Sequence, residues 1–550
     1  MNQCTDFLLT RLIRIFALLS FFLLITAPVF AEPVEVWSHF YSAQNERYRM
    51  IKAIIPLQNG GYILGGLRAL EPNVNDITLT QINADGDVIA ESVFDQNNAD
   101  EQTEDMTKSP DGGWVVTGTR VRDLLIVKFN EEREMVWTRT WGGAGLDQGK
   151  SIVPAIGGGY VVCGFSGAYD DTIAAILMRY PEDGEGDPIW IQGIPVAASL
   201  GFIDLALIPD GYIAVGNARS NVLLAARFDA EGDTVWTHKI PVEAGFSTLY
   251  RVRYLGENRL VVAGIINASV YVAIMNLDGE IEWSERYENV IGPSEVEITE
   301  TPTGFFLACR TNGRAHPDQW WLATLSENGE LTWSDYFGAA GSGNIPFCVL
   351  GQPDGTILVG GMGIQEERMQ GRLTRFQLPE PEAPVQILAL SPGWNIYSTY
   401  LSPDSPNIRD MFASLVERGT LRLIKDGSGR FYAPLLNFCN LPNWNPSQGY
   451  FINMAESDSL TVSGVPIPID TPIVLNRGWG IVAYYPENEL SAADAFANIH
   501  DALIIAKDGG GRFYLPDQNF SNMGNLRRGV GYYLKMNAGC QLVYPNPQGR

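Results

Sequence analysis

Residues 111–143 read DGGWVVTGTRVRDLLIVKFNEEREMVWTRTWGG. Three short strands are legible in this stretch. GGWVVTG (112–118) and LLIVKF (124–129) are nearly continuous apolar runs, the pattern of strands covered on both faces. The acidic segment NEERE (130–134) offers a reversal, and MVWTRTW (135–141) follows as a third strand carrying Trp137. One sheet of this kind cannot bury two apolar faces alone, so it must stack against others like it.

Working outward, the first of these strands recurs seven times. It appears as GGYILGG (60–66), GGWVVTG (112–118), GGYVVCG (158–164), DGYIAVG (210–216), NRLVVAG (258–264), TGFFLAC (303–309) and DGTILVG (354–360). Its last residue falls at Gly66, Gly118, Gly164, Gly216, Gly264, Cys309 and Gly360, in steps of 52, 46, 52, 48, 45 and 51. After most copies come an apolar strand, an acidic turn and a Trp strand, as in LLAARFDAEGDTVWTHKI (223–240) and WLATLSENGELTWSDYF (321–337). An alternating segment such as FIDLALIPDG (202–211) precedes each copy and makes a fourth strand. Four strands per unit of ~50 residues is the signature of β-propeller blades.

The seventh unit lacks its Trp strand after GRLTRFQLPEPE, while VEVWSHFY (34–41) has the missing pattern near the N-terminus. The fold expected is therefore mainly β. It is a seven-bladed β-propeller whose N-terminal strand closes the last blade, followed by two small tandem α+β repeats. Closure between the two ends would place Trp37 near Phe376 and remove an open sheet edge.

The chain has 550 residues, more than one core supports. Arg11 and Arg14 precede the apolar run Ile15 to Phe30, with Val29 and Ala31 as small residues ahead of Glu32. This layout predicts a secretory signal peptide over 1–31 and an exported protein at the cell surface, in the periplasm or in the medium. No later stretch is long and apolar enough to span a bilayer as a helix. Loss of residues 1–31 would take the net charge from −25 to about −26, which disfavours nucleic acid as a partner.

The expected divisions are a signal at 1–31, a propeller at 32–378, a linker at 379–386, repeats at 387–464 and 465–543, and a tail at 544–550. The tandem pair is read from LSPGWNIYS (390–398) with LNRGWGIVA (475–483), LIKDGSGRFYAP (423–434) with IAKDGGGRFYLP (505–516), and GYFINM (449–454) with GYYLKM (531–536). Each copy is expected to hold one helix. One would be capped by Ser405 with Pro406 in its first turn, the other would open at Ser491 with Asp494.

The propeller units resemble a repeat of secreted bacterial and archaeal propellers, DGGYxVxG followed by LIKLDxxGNxxW. The motifs that carry this are DGGWVVTG, LIVKFN and MVWTRTWGG, and DAEGDTVW (229–236) is similar to the quinoprotein-like repeat. The resemblance implies the fold and no particular activity. The tandem pair resembles GWN…GYxxKM modules near the C-termini of large bacterial surface proteins, which implies an accessory or attachment role. YPNP (544–547) reads as a Pro turn, and is also similar to the opening of a type IX sorting domain.

Catalytic chemistry is hard to assemble. Of four histidines, His39 and His238 lie two residues after a blade Trp, where other units hold Arg139, Glu285 and Asp335. These are expected at exposed outer-strand positions rather than in a metal or Ser-His-Asp site. The turns NADGD (83–87), DAEGD (229–233), NLDGE (276–280) and SENGE (326–330) are too short to wrap calcium and read as hairpins. Neither metal nor cofactor is expected. After loss of Cys4, five cysteines remain with no C-x-x-C pair and no assignable disulfide; Cys163 and Cys309 fall in apolar strands.

One face of the propeller is expected to carry longer loops: LRALEPNVND (67–76), DQNNADEQTE (95–104), FSGAYDDT (165–172), RTNGRAHPD (310–318) and MGIQEERMQ (362–370). Tyr169, Asp170, Asp171, Arg314, His316 and Glu367 are the ligand-binding candidates there. The expectation is a non-enzymatic binding or scaffold protein with a protein or glycan ligand. A carbohydrate-active hydrolase or lyase using loop carboxylates such as Asp170 or Asp171, and a purely structural surface component, are the alternatives.

Overall fold

The computed structural model describes residues 32–545, apart from 44, 73, 97–98, 170–171, 197–200, 243–244, 289, 291, 313–315, 340, 342 and 380–383. The expected signal, half of the linker and all but the start of the tail lie outside the described residues. The chain divides into two compact units, 1–381 and 382–550.

The first unit is a seven-bladed β-propeller built from seven four-stranded antiparallel sheets. Blades one to six are 48–94, 101–141, 147–195, 202–241, 247–287 and 293–337. Blade seven joins the strands of 345–377 to Val34–Tyr41 from the other end of the chain. Within that latch Glu35 lies opposite Phe376 and Trp37 opposite Arg375, and Ser38 Oγ is 2.9 Å from Thr374 Oγ1. The expected closure is thus the observed one.

The apolar runs do what their pattern requires. Seven clusters of buried side chains occupy the seven junctions between neighbouring blades, with no single shared centre. Val115, Leu124 and Ile126 of blade two meet Ile152, Tyr160 and Ile176 of blade three, for example. Burying such side chains contributes roughly 1.5–3 kcal/mol each, so every blade draws its stability from both neighbours. Cys163, Cys309 and Cys348 are buried in these layers as free thiols, and burial pushes all three thiol pKa values upward.

The acidic turns are hairpins, as expected. In each, the fourth residue donates its N–H to the carbonyl of the first, as Gly86 does to Asn83 and Gly279 to Asn276. The histidines differ from expectation. His39 and His238 are half-buried, with ring centroids 4.9 Å and 4.6 Å from Trp37 and Trp236. They sit there because the glycine of the next blade's turn leaves room beneath a Trp–His pair.

In the second unit each repeat forms a five-stranded sheet with the same strand order. The first is Gly393–Tyr397, Tyr450–Met454, Leu421–Lys425, Phe431–Ala433, Phe438–Cys439; the second is Gly478–Val482, Tyr532–Met536, Leu503–Lys507, Phe513–Leu515, Phe520–Ser521. Ser491 caps the helix Ala492–Ala495 by accepting from Asp494 N. In the first repeat the cap is Asn407 rather than Ser405. Its side chain accepts from Arg409 N and Asp410 N, so Pro406 precedes the helix Ile408–Met411. Tyr544, expected in the tail, is buried in the core of the second repeat and donates its hydroxyl to Ala483 O at 2.6 Å.

Candidate functional site: the axial ring of the propeller

The innermost strands of the blades lie against one another in a closed circuit: Tyr48–Pro56, Glu101–Lys108, Asp147–Pro154, Phe202–Ile208, Ser247–Gly256, Pro293–Thr301, Ile345–Gly351 and back to the first. Every one of these seven strands carries a β-bulge at the equivalent place, within its first five residues. The residue left unpaired at the bulge is Lys52, Glu104, Lys150, Ile203, Tyr250, Glu295 or Phe347 in turn. A bulge re-aims a side chain out of its ladder, and here the side chains of different blades meet.

Glu104 of blade two accepts from Lys150 of blade three at 2.8 Å and from Lys52 of blade one at 3.5 Å. Lys52 Nζ in turn stands 3.9 Å from the centre of the Phe347 ring of blade seven. Burial would raise the Glu104 carboxyl, but Lys150 and Lys52 outweigh it and hold the group down at about 2. Glu295 differs. Burial raises its carboxyl against the pull of Lys52 and Arg310, and its backbone is held at φ 52. Its Oε2 has no hydrogen-bond partner among the described residues. A residue in the left-handed region that is not glycine stores about 1 kcal/mol or more of strain.

A second belt supports this ring. Asp105 accepts from Ser151 Oγ at 2.8 Å and Ile152 N at 3.0 Å. Asp204 accepts from Val252 N at 2.8 Å and pairs with Arg253. Arg251 pairs with Glu297 and donates to Phe347 O at 3.2 Å. Each link joins different blades; Glu297 and Asp204 have arginine partners, while Asp105 is held by hydrogen bonds alone.

The sequence candidates lie elsewhere. Most of the expected loops are hairpin ends, because the strands run on almost to the tip. Tyr62–Glu71 and Val74–Ile82 are separated by two residues, and so are Thr356–Gln365 and Arg368–Gln377. Pairing the backbone groups there satisfies them without a loop. Tyr169 stands at the end of its strand in blade three, its hydroxyl 3.4 Å from Ile191 O. His316 stacks on Tyr336 at 3.8 Å, with Nδ1 2.9 Å from Gln319 Oε1. Glu367 occupies a two-residue turn with Glu366, both at positive φ. Asp170, Asp171 and Arg314 lie outside the described residues. Among the described residues no hydrogen bond, ion pair or ring contact joins Tyr169, His316 and Glu367.

Among the described residues the same face holds one group with the makings of a metal site: oxygens of Asp76, Asp95 and Glu101 lie within 4.8 Å of one another. Arg68 pairs with Asp76 at 3.1 Å and Arg120 with Glu101 at 3.2 Å. Two of the three carboxylates therefore already have a counter-ion. The axial ring went unread in the sequence because a bulge exists only once two strands are registered. The available signal was a charged residue in the middle of a core strand, as at Glu104 and Lys150.

No family model matches the chain, and no curated protein does. Similar solved structures include a catalytically inactive virginiamycin B lyase from Staphylococcus aureus with quinupristin, at 16% identity over 62% of this chain and 99% of that one, TM-score 0.43. A streptogramin B lyase aligns at 12% identity over 62% and 98%, TM-score 0.42. BBS1N in complex with ARL6DN aligns at 13% over 64% and 98%, TM-score 0.40. These are similarities of β-propeller fold and of nothing finer.

Proposed function

We propose that this chain is an exported binding protein whose propeller holds a partner protein at its axial mouth, without turning it over. One observation carries the reading. The seven bulge positions are structurally equivalent, yet they hold Lys, Glu, Lys, Ile, Tyr, Glu and Phe. Architecture alone would reuse one residue type, as it does for the strand-end glycine in six of the seven units. Diversity at the one ring where all blades converge is what recognition needs. Two lysines sharing Glu104 leave one side of the ring positive; Glu295, between Tyr250 and Phe347 in ring order, leaves the other negative. A protein segment with complementary charges and an apolar contact fits that arrangement.

An acid–base enzyme is the second reading, favoured by the opposite shifts of Glu104 and Glu295 on one ring. Photo-crosslinkers placed at Tyr250 and Phe347, against a control at the outer-strand residue Val235, test the two. A discrete adduct from the axial positions alone, lost in Lys150→Glu, is the expected result. Adducts equal at Val235 would sink the binding reading. Polymer turnover abolished by Glu295→Gln would replace it with the enzyme.

A further inference from the structure

The two C-terminal repeats meet reciprocally. Tyr397 bridges to Val530 and Gln448 to Val482. Gly531 N donates to Ile396 O at 3.3 Å, and Gly449 N to Ile481 O at 3.2 Å. A Cβ on Gly449 would meet Ile481 Cγ2 at 2.5 Å, and one on Gly531 would meet Ile396 Cγ2 at 2.8 Å. Equivalent residues thus exchange equivalent contacts, the behaviour of an isologous interface folded into one chain. Glycine at both positions is what lets the two sheets approach.

This symmetry brings four rings into one continuous row. Trp394 meets Phe451 edge to face at 6.3 Å, Phe451 meets Tyr533 across the junction at 5.9 Å, and Tyr533 stacks on Trp479 at 4.4 Å. The outer members are uncovered: Trp394 is 55% exposed and Trp479 42%. Lysines edge the row. Lys425 Nζ is 5.3 Å from Trp394 and 5.1 Å from Phe451, while Lys507 and Lys535 stand 5.6 Å and 5.7 Å from Trp479. None of the three lysines forms an ion pair among the described residues. Asp426 and Asp508, each next in sequence to one of these lysines, are already engaged with Arg430 and Arg512.

We infer that this row is a binding site for an acidic polysaccharide of the uronic-acid class. Exposed indole faces stack on the C–H faces of sugar rings, and the free ammonium groups pair with carboxylates. The same Trp–Lys unit stands at both ends of the row, which suits a polymer presenting one chemical unit repeatedly. Three unpaired lysines on a chain of net charge −25 mark the strip as locally complementary to acid. Single-stranded nucleic acid also stacks on aromatic rings, but with one charge per ~3.4 Å it meets stronger long-range repulsion from this chain than a polymer with at most one carboxylate per sugar.

The test uses the chain from residue 32 onward with six polymers: polygalacturonate, alginate and hyaluronan as the uronate panel, and dextran, oligothymidylate and polyglutamate as the others. Binding to at least one uronate polymer, weakening with salt, is expected. Trp394→Ala with Trp479→Ala should lower that affinity at least tenfold. Lys425→Gln, Lys507→Gln and Lys535→Gln together should erase the preference over dextran. Both sets lie on the surface, so an unchanged melting temperature certifies the fold. No binding to any uronate polymer overturns the inference, as does binding untouched by the double Trp variant. Equal or tighter binding of oligothymidylate or polyglutamate overturns it too, and would point to a nucleic acid or a peptide.

Discussion

Trp190 of blade three lies directly over Gly232 in the third turn of blade four, so that a Cβ on Gly232 would stand 2.6 Å from the indole Cδ2. The relationship repeats round the propeller. Trp137 covers Gly184, Trp283 covers Gly329, and the Trp–His pairs 37/39 and 236/238 cover Gly86 and Gly279. Five of the seven outer strands therefore press a large ring onto the next blade's turn, at the rim of the junction core: Trp137 belongs to one cluster of that core, and Trp190, Trp283, Trp37 and Trp236 pack against others.

Gly232→Ala is expected to destabilise the propeller by roughly 2–4 kcal/mol, since it meets both a positive φ and an indole. Gly256 has φ +87 but open space around a Cβ, so Gly256→Ala should cost only about 1 kcal/mol. Urea denaturation of the two variants separates steric overlap from backbone strain. Equal losses would mean that the indole simply moves aside.

One junction breaks the pattern in both partners at once. Blade one has Ala90 where its neighbours have Trp, opposite Gln81. Blade two has Arg133 at the turn position of the glycine, at φ 67, donating to Gln81 Oε1 at 2.6 Å. Ala90→Trp alone should destabilise by overlap with Arg133. Together with Arg133→Gly it should be neutral or stabilising, giving a favourable coupling of about 1–2 kcal/mol in a double-mutant cycle. Additive losses would show that the complementarity is coincidental.

Removal of residues 32–42 takes Trp37 off Gly86 and opens blade seven. A Trp buries ~150–250 Å², or roughly 4–6 kcal/mol gross, and an entire strand ladder goes with it. Cooperative unfolding of the propeller should be lost, read by differential scanning calorimetry. Melting indistinguishable from the intact chain would refute closure by this strand.

Glu104→Gln leaves Lys52 and Lys150 without their shared counter-ion and should cost about 2–3 kcal/mol at neutral pH. The sign with pH follows from the Glu104 carboxyl being held down at about 2 against an ordinary 4.5. Its contribution is complete above 4.5 and vanishes as pH falls through 2. The stability gap between wild type and variant should therefore be flat from pH 7 to about 5 and close towards pH 2. A gap that widens on acidification would contradict the ion-pair assignment.

What could be read in the sequence was whatever repeats with a period. The strand-end glycines, the Trp strands and the unmatched VEVWSHFY recur in register, because every blade solves the same packing problem. Tyr169 and Glu367 were read as loop residues because polar and acidic runs also suit loops; cross-strand pairing carried the ladders to the tips instead. Lys52, Glu104 and Glu295 acquire a common position only through their bulges. Phe451 and Tyr533 were seen as matching letters in two motifs, and nothing in a linear comparison says that matching residues touch.

The bond between Ser38 and Thr374 spans 336 positions, and it has a consequence for biosynthesis. The earliest strand of the propeller cannot find its partner until nearly the whole ring has been made, so six sheets must wait as an open arc with an unsealed flank on each end blade. Assembly on the ribosome should stall before the final step, and a chain halted anywhere before Arg368 should be a ready target for chaperones and proteases.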